Sequence, residues 1–222
     1  TDSFRPDWGI IRRIANIGVP AGLEQGMLRV GQLVYTMIIS SLGTIAYAAH
    51  QVALNAESLS FMPGAGFAVA ATTLVGQNLG AGKPEDAERA GAITRNMGML
   101  VMSAMGIIFF LLPGPIVRIF SRDPDVIALA VVCLRLVAVA QPSLAIWMIL
   151  AGGLRGAGDT RAIMNMVMVS FLGVRVGLAY LLALRLGFGL TGAWIGMVAD
   201  LFLRSVLIQL RFNRGKWKLV KV

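Results

Sequence analysis

Six long apolar stretches, at residues 14–42, 46–79, 90–112, 126–154, 162–186 and 190–210, fill most of the sequence, with short segments of glycine, proline and charge between them. A helix needs about 20 residues, rising about 1.5 Å each, to cross roughly 30 Å of hydrocarbon. Every stretch supplies at least that. Of the 222 residues, 57% are hydrophobic and 14% charged, with a mean hydropathy of +0.75, which no ordinary water-soluble domain shows. The expected fold class is therefore an all-α integral membrane protein with six transmembrane helices. Residues 1–13 read as a cytoplasmic interfacial segment or linker, 14–211 as the six-helix transmembrane lobe, and 212–222 as a basic cytoplasmic tail. The chain starts at Thr1 rather than Met, the expectation for a piece cut from a longer protein. In the second stretch, FMPGAGF at 61–67 places a proline and two glycines inside the apolar run, which predicts a kink or tilt.

Cationic side chains give the orientation, because positive loops stay on the cytoplasmic face. With both ends inside, thirteen Lys and Arg fall on the inner side, three (Arg118, Arg122 and Arg185) on the outer side, and four within the spans. A multi-pass protein of the cell membrane with both ends cytoplasmic follows, with Trp8 and Trp217 near the inner interface. The net charge of +9 forms no dense basic face, so nucleic acid is not an expected partner. The one cysteine, Cys133, lies among apolar residues and reads as packing.

LVGQNLGAGKPEDAERA, at 74–90, has the glycines and lysine of a phosphate-binding loop but not its pattern. Gln77 stands where GxxxxGK[ST] begins with glycine, and Pro84 replaces the Ser or Thr. It fits a helix boundary instead: glycines end the second span, Pro84 suits a first helical turn, and Glu85, Asp86 and Glu88 complement the positive end of the next helix. GGLRGAGDTRA, at 152–162, repeats the device on the same side, with Asp159 or Thr160 as the expected cap.

Four segments in this order, GVPAGLEQ (18–25), AAHQVALNAESLSFMPGAGFAVAATTLVGQNLGAG (48–82), GGLRGAGDTR (152–161) and RGKW (214–217), resemble the multidrug and toxic compound extrusion (MATE) transporters, specifically their C-terminal six-helix lobe. The similarity runs from about Trp8 to Trp217. It implies one half of a twelve-helix transporter whose two lobes enclose a cavity, with the N-terminal six-helix lobe supplied by the same chain or by a dimer. It also implies antiport, in which a small organic cation leaves as H⁺ or Na⁺ enters, with that ion in place of any cofactor. The sequence departs from the family at two points. Leu28 lies where several members carry a carboxylate, with Glu24 one turn earlier, and 126–154 contains no Asp or Glu.

Seven ionisable residues fall within the spans: Glu24, Arg29, Glu57, Arg135, Arg175, Asp200 and Arg204. Each costs roughly 2.5–3.5 kcal/mol at a helix centre in contact with lipid, so all seven are expected to face protein or water. Gln25, Arg29, Gln32 and Thr36 form a helical stripe on the first span. His50, Gln51, Asn55, Glu57 and Ser58 cover about half of the second. The two faces are expected to line one cavity, with Glu57 near mid-bilayer and Glu24 near the inner mouth. A carboxylate withdrawn from water can hold a proton and release it to arriving water or a cation. Glu57, Glu24, Asn55, Gln51 and Gln32 are therefore the candidate substrate and cation ligands, against the plainer reading that Glu57 only pairs with an arginine. Arg175, Asp200 and Arg204 form the candidate structural network, Asp200 and Arg204 being an i, i+4 pair. Arg135 lacks an acid on its own helix and is expected to reach Glu57 or a lipid phosphate. His50 reads as a hydrogen-bonded helix-end residue.

The leading function is the C-terminal half of a cation-coupled multidrug efflux antiporter. A lipid-linked oligosaccharide flippase of the same superfamily is the alternative, since arginines outnumber acids within the spans, and a non-transporting membrane scaffold is a third reading. With no HExxH, GxSxG, metal cluster or catalytic carboxylate pair, no enzymatic activity and no metal site are expected.

Overall fold

The computed structural model describes the backbone of residues 8–219 and the side chains of residues 18, 19 and 22–219. Apart from turns, the described residues are helical. They form α1 (Trp8–Ser40), α2 (Thr44–Gly80), α3 (Pro84–Leu111), a short α4 (Pro113–Arg118), α5 (Pro124–Gly156), α6 (Thr160–Arg185) and α7 (Gly189–Asn213), closed by a 3₁₀ turn at Lys216–Leu219. The six long helices coincide with the six apolar stretches. Five of them (α2, α3, α5, α6 and α7) are long and apolar enough to cross a membrane. The sixth, α1, is 33 residues long but diluted by Glu24, Gln25, Arg29 and Gln32. It also starts at Trp8, inside the segment read as a linker.

Both turns read as helix boundaries close in the same way. Gly82 and Gly158 take φ of +71° and +79°, conformations that a Cβ disfavours. The next amide, on Lys83 and Asp159, reaches back five residues to the carbonyls of Asn78 and Leu154, at 2.9 Å in both turns. Pro84 then opens α3, with Glu85 and Asp86 in its first turn. Asp159 does not cap α6 as expected; its Oδ2 instead accepts from Arg211 Nε at 2.8 Å, tying this turn to the end of α7. At the other end of the lobe, Asp123 caps α5 by accepting from the amides of Asp125 and Val126.

The central helix is α5, which packs on α2, α3 and α7, whereas α1 lies mainly along α6. Between membrane helices close packing replaces the hydrophobic drive, so small residues mark the crossings. A Cβ on Gly152 or Gly156 would overlap the carbonyls of Ala68 or Thr72, which means the backbones of α2 and α5 touch. A Cβ on Gly106 would lie 2.7 Å from the Ala138 carbonyl, so α3 meets α5 as closely. Apolar side chains such as Met62, Leu100 and Val169 point outward, as lipid requires.

α2 runs on through Pro63 as one 37-residue helix. α6 has π-helical turns at Met168–Val176 and Tyr180–Arg185. Trp217 is not an interfacial ring: it is fully buried, stacked on Phe212 at 5.0 Å, and its indole nitrogen donates to the Phe212 carbonyl. The side chain of Trp8 lies outside the described residues.

Candidate functional site

Two polar centres occupy the interior. The first is on α2. Glu57, 13 residues from the start of the helix at Thr44, lies about 20 Å along it, and its side chain is buried at 4% exposure. Among the described residues no Lys, Arg or His nitrogen lies within 4 Å of its carboxylate. Its backbone carbonyl accepts from Ser60 Oγ at 2.7 Å, and that hydroxyl accepts from Gln141 Nε2 of α5 at 3.1 Å. This chain fixes the helix next to Pro63, whose ring removes an amide from the ladder. Gln51 is half-buried and donates to the Tyr47 hydroxyl; Asn55 and Ser58 are exposed.

The second centre joins α6 and α7. Asp200 is fully buried. Its Oδ1 accepts from Arg204 Nε at 2.8 Å and from the Ser170 hydroxyl, while Arg175 Nη1 stands 3.8 Å from Oδ2. Aromatic rings hold both guanidinium groups: Arg175 lies over Tyr35 (4.8 Å) and Phe171 (4.9 Å), and Arg204 over Trp147 (5.4 Å) and Phe171 (5.2 Å). Two arginines share one carboxylate, and Arg175 Nε, Arg204 Nη2 and Asp200 Oδ2 have no hydrogen-bond partner among the described residues. The expected trio therefore assembles in space with a net positive charge.

Tyr35 stands between the two centres, its ring under Arg175 at 4.8 Å and meeting the ring of His50, on the helix of Glu57, at 5.8 Å. Arg135, the arginine expected to reach Glu57, makes no ion pair with it. His50 is not a hydrogen-bonded helix-end residue either. It is fully buried, neither ring nitrogen has a partner among the described residues, and the ring lies edge-on between Tyr35 and Trp194 at 5.8 and 5.7 Å.

Glu24 lies elsewhere. It is buried at 2% exposure and accepts from Arg155 Nη2 at 2.6 Å, joining α1 to the end of α5 beside the second glycine turn. On α1, Gln32 is half-buried, while Gln25 and Arg29 are exposed. Of the seven ionisable residues, Glu24, Glu57, Asp200 and Arg204 are buried within the lobe, Arg175 is half-buried, and Arg29 and Arg135 are exposed. Cavities of about 330, 280 and 260 Å³ border the helices, and none is lined by Glu57. Sequence reasoning missed Tyr35, Trp147, Ser170 and Phe171. The polar signal in Ser170 was readable, but its partners Asp200 and Arg204 lie on α7, which spacing along α6 does not reveal.

Long apolar helices crossing on glycines, with paired charges in the interior, define a polytopic helical membrane protein. The MatE family profile matches residues 20–181, and the chain belongs to that family. It is 38% identical over 215 residues to the probable multidrug resistance protein NorM of Thermotoga maritima, a match covering 96% of this chain and 46% of the relative. It is 32% identical over 212 residues to the multidrug resistance protein MdtK of Yersinia pseudotuberculosis, covering 94% of this chain and again 46% of the relative. A crystal structure of MATE in the straight conformation superposes with a TM-score of 0.85 at 21% identity, covering 96% of this chain and 48% of that one. The chain thus spans about half the length of the curated relatives it matches.

Proposed function

We propose that this chain is the C-terminal six-helix lobe of a cation-coupled multidrug efflux antiporter of the cell membrane, with both ends cytoplasmic. In this reading it works against an N-terminal six-helix lobe, from the same chain or a dimer partner, and exports small organic cations in exchange for H⁺ or Na⁺. Membership of the MatE family and the names of its relatives support multidrug export. The single observation that carries the coupling role is Glu57, a carboxylate buried deep in α2 with no ion-pair partner among the described residues. A buried acid already neutralised by an arginine has nothing to exchange, whereas a free one can take up and release a cation. No cluster of three or more His, Cys, Asp or Glu converges among the described residues, so a bound ion at Glu57 would draw its other ligands from amide and hydroxyl oxygens, of which Ser58, Asn55 and Ser60 are nearest in sequence and Gln51 lies further along the helix. Gln32, on the polar stripe of α1, belongs to the same proposed ligand set. Glu24, paired with Arg155, serves as a secondary acid near the inner mouth, released when that pair opens.

Export of a fluorescent organic cation from vesicles holding the full transporter tests this, with the pH and sodium gradients collapsed one at a time. Glu57→Gln is expected to abolish gradient-driven export while leaving the protein folded; full export by that variant would remove Glu57 from the mechanism. One observation favours a second reading, a lipid-linked oligosaccharide flippase: Arg175 and Arg204 outnumber Asp200 and carry nitrogens, unpartnered among the described residues, suited to phosphate. Movement of a phosphate-linked glycolipid, with no export of organic cations, would select it.

A further inference from the structure

The end of α3 at Leu111 and the facing part of α5 enclose the largest of the three cavities, about 330 Å³, at the end of the lobe opposite the chain termini. Gly106, Ile107 and Phe110 of α3 and Val139 and Pro142 of α5 line it, and its walls are almost wholly apolar. It exists because Gly106 lets α3 approach the Ala138 carbonyl of α5 while Pro142 carries no long side chain to fill the space beside them.

Arg135 stands one helical turn from Val139 on the same face of α5. It is exposed, and among the described residues its guanidinium meets no carboxylate and donates no hydrogen bond. Its height follows from the Gly106–Ala138 contact. Leu111 ends α3 about 7.5 Å beyond Gly106, and Arg135 lies about 4.5 Å beyond Ala138 in the same direction, so its Cα is about 3 Å inside the end of α3. An extended arginine side chain spans that gap and brings the guanidinium to the headgroup layer. Arg118, exposed at the end of α4, adds a second cation near this rim, because α4 packs along α5. Asp123 and Asp125 are the acids of the same rim, but they sit at the far end of α5, about 15–18 Å from Arg135, and Asp123 is occupied as the helix cap.

The groove opens at the surface of the lobe. Gln141, whose Cβ packs against Gly106, turns its amide to Ser60 of α2, the helix that carries Glu57. Exposed Leu111, Ile107 and Val139 surround the opening. We propose that this groove is a phospholipid site: one acyl chain lies against Ile107, Phe110, Val139 and Pro142, and the phosphate accepts from Arg135. A planar guanidinium binds two phosphate oxygens at once, which an exposed arginine with no ion-pair partner among the described residues is set up to do. A soluble phosphate would use the charge but leave the apolar groove empty.

Native mass spectrometry of the purified, delipidated protein titrated with phosphatidylglycerol tests the site. One phosphatidylglycerol is expected to bind more tightly than the rest. Arg135→Ala weakens it about tenfold, the worth of a charge-assisted hydrogen bond, and Arg135→Lys weakens it less. Val139→Trp, which fills the groove and keeps the charge, also loses the tight lipid, whereas Leu100→Ala, at an exposed α3 position outside the groove, retains it. The proposal is overturned if Arg135→Ala and Val139→Trp hold the lipid as the parent does, or if inorganic phosphate displaces it. Should Val139→Trp not fold, the surface change Arg135→Ala decides alone.

Discussion

Asp200 and Glu57 are both carboxylates buried inside a membrane lobe, and their surroundings differ in kind. Asp200 is held by Arg204 at 2.8 Å, by the Ser170 hydroxyl and by Arg175 at 3.8 Å, on two helices packed along their length. Glu57 has no ion-pair partner among the described residues, sits beside a proline on α2, and has exposed Asn55 and Ser58 on its own helix. Removing one member of a buried charge cluster leaves the others uncompensated, whereas removing an unpaired charge relieves a burial penalty. Burial alone therefore does not identify an exchangeable acid. The role proposed for Glu57 rests instead on its lack of an ion-pair partner among the described residues.

The largest expected effect lies on the Asp200 side. Asp200→Asn leaves Arg175 and Arg204 buried without a counter-ion and is expected to cost about 3–5 kcal/mol in thermal unfolding followed in detergent. Glu57→Gln in the same assay is expected to move stability by less than about 1 kcal/mol, because no ion pair is broken. Equal losses from the two variants would erase the distinction between the acids. Next comes the scaffold behind Glu57. Gly156→Ala drives a methyl group into the Thr72 carbonyl and is expected to cost about 1–3 kcal/mol while displacing α2 from α5. Export should fall with it although Asp200 and its arginines are untouched; unchanged export would mean that the position of α2 does not govern Glu57.

How far the sequence was legible follows the same divide. Helix positions were readable because apolar run length, glycine and proline act locally: Gly82 and Gly158 close their turns with the same bonds. The Asp200–Arg204 pair was readable for the same reason, since four residues make one turn. Partners brought in from other helices were not. Nothing in the spacing of α5 or α6 tells that Arg175 lies over Tyr35 and Phe171 while Arg135 pairs with no acid among the described residues. Asp159 looked like a cap, and its carboxylate was taken by Arg211, 52 residues away. Ser170 joined the network through Asp200 and Arg204 of α7, 30 and 34 residues away, a contact that spacing along α6 does not reveal.

The smallest effect sharpens the comparison most, because Tyr35 touches both centres. Its hydroxyl donates to the Ala193 carbonyl at 2.9 Å across 158 residues, its ring lies under Arg175, and its edge meets His50 on the helix of Glu57. Tyr35→Phe keeps the ring and removes one buried hydrogen bond, an expected loss of about 0.5–1.5 kcal/mol in the same unfolding assay. If the centres work separately, that small loss is the whole effect and export follows stability. If Arg175 links them, freeing the α1 end of its cradle changes the field at Glu57, and the pH dependence of export shifts by more than the stability change accounts for. Combining Tyr35→Phe with Glu57→Gln then separates the cases: additive losses mean independent centres, and a double variant no worse than Glu57→Gln alone means that Tyr35 acts on export through Glu57.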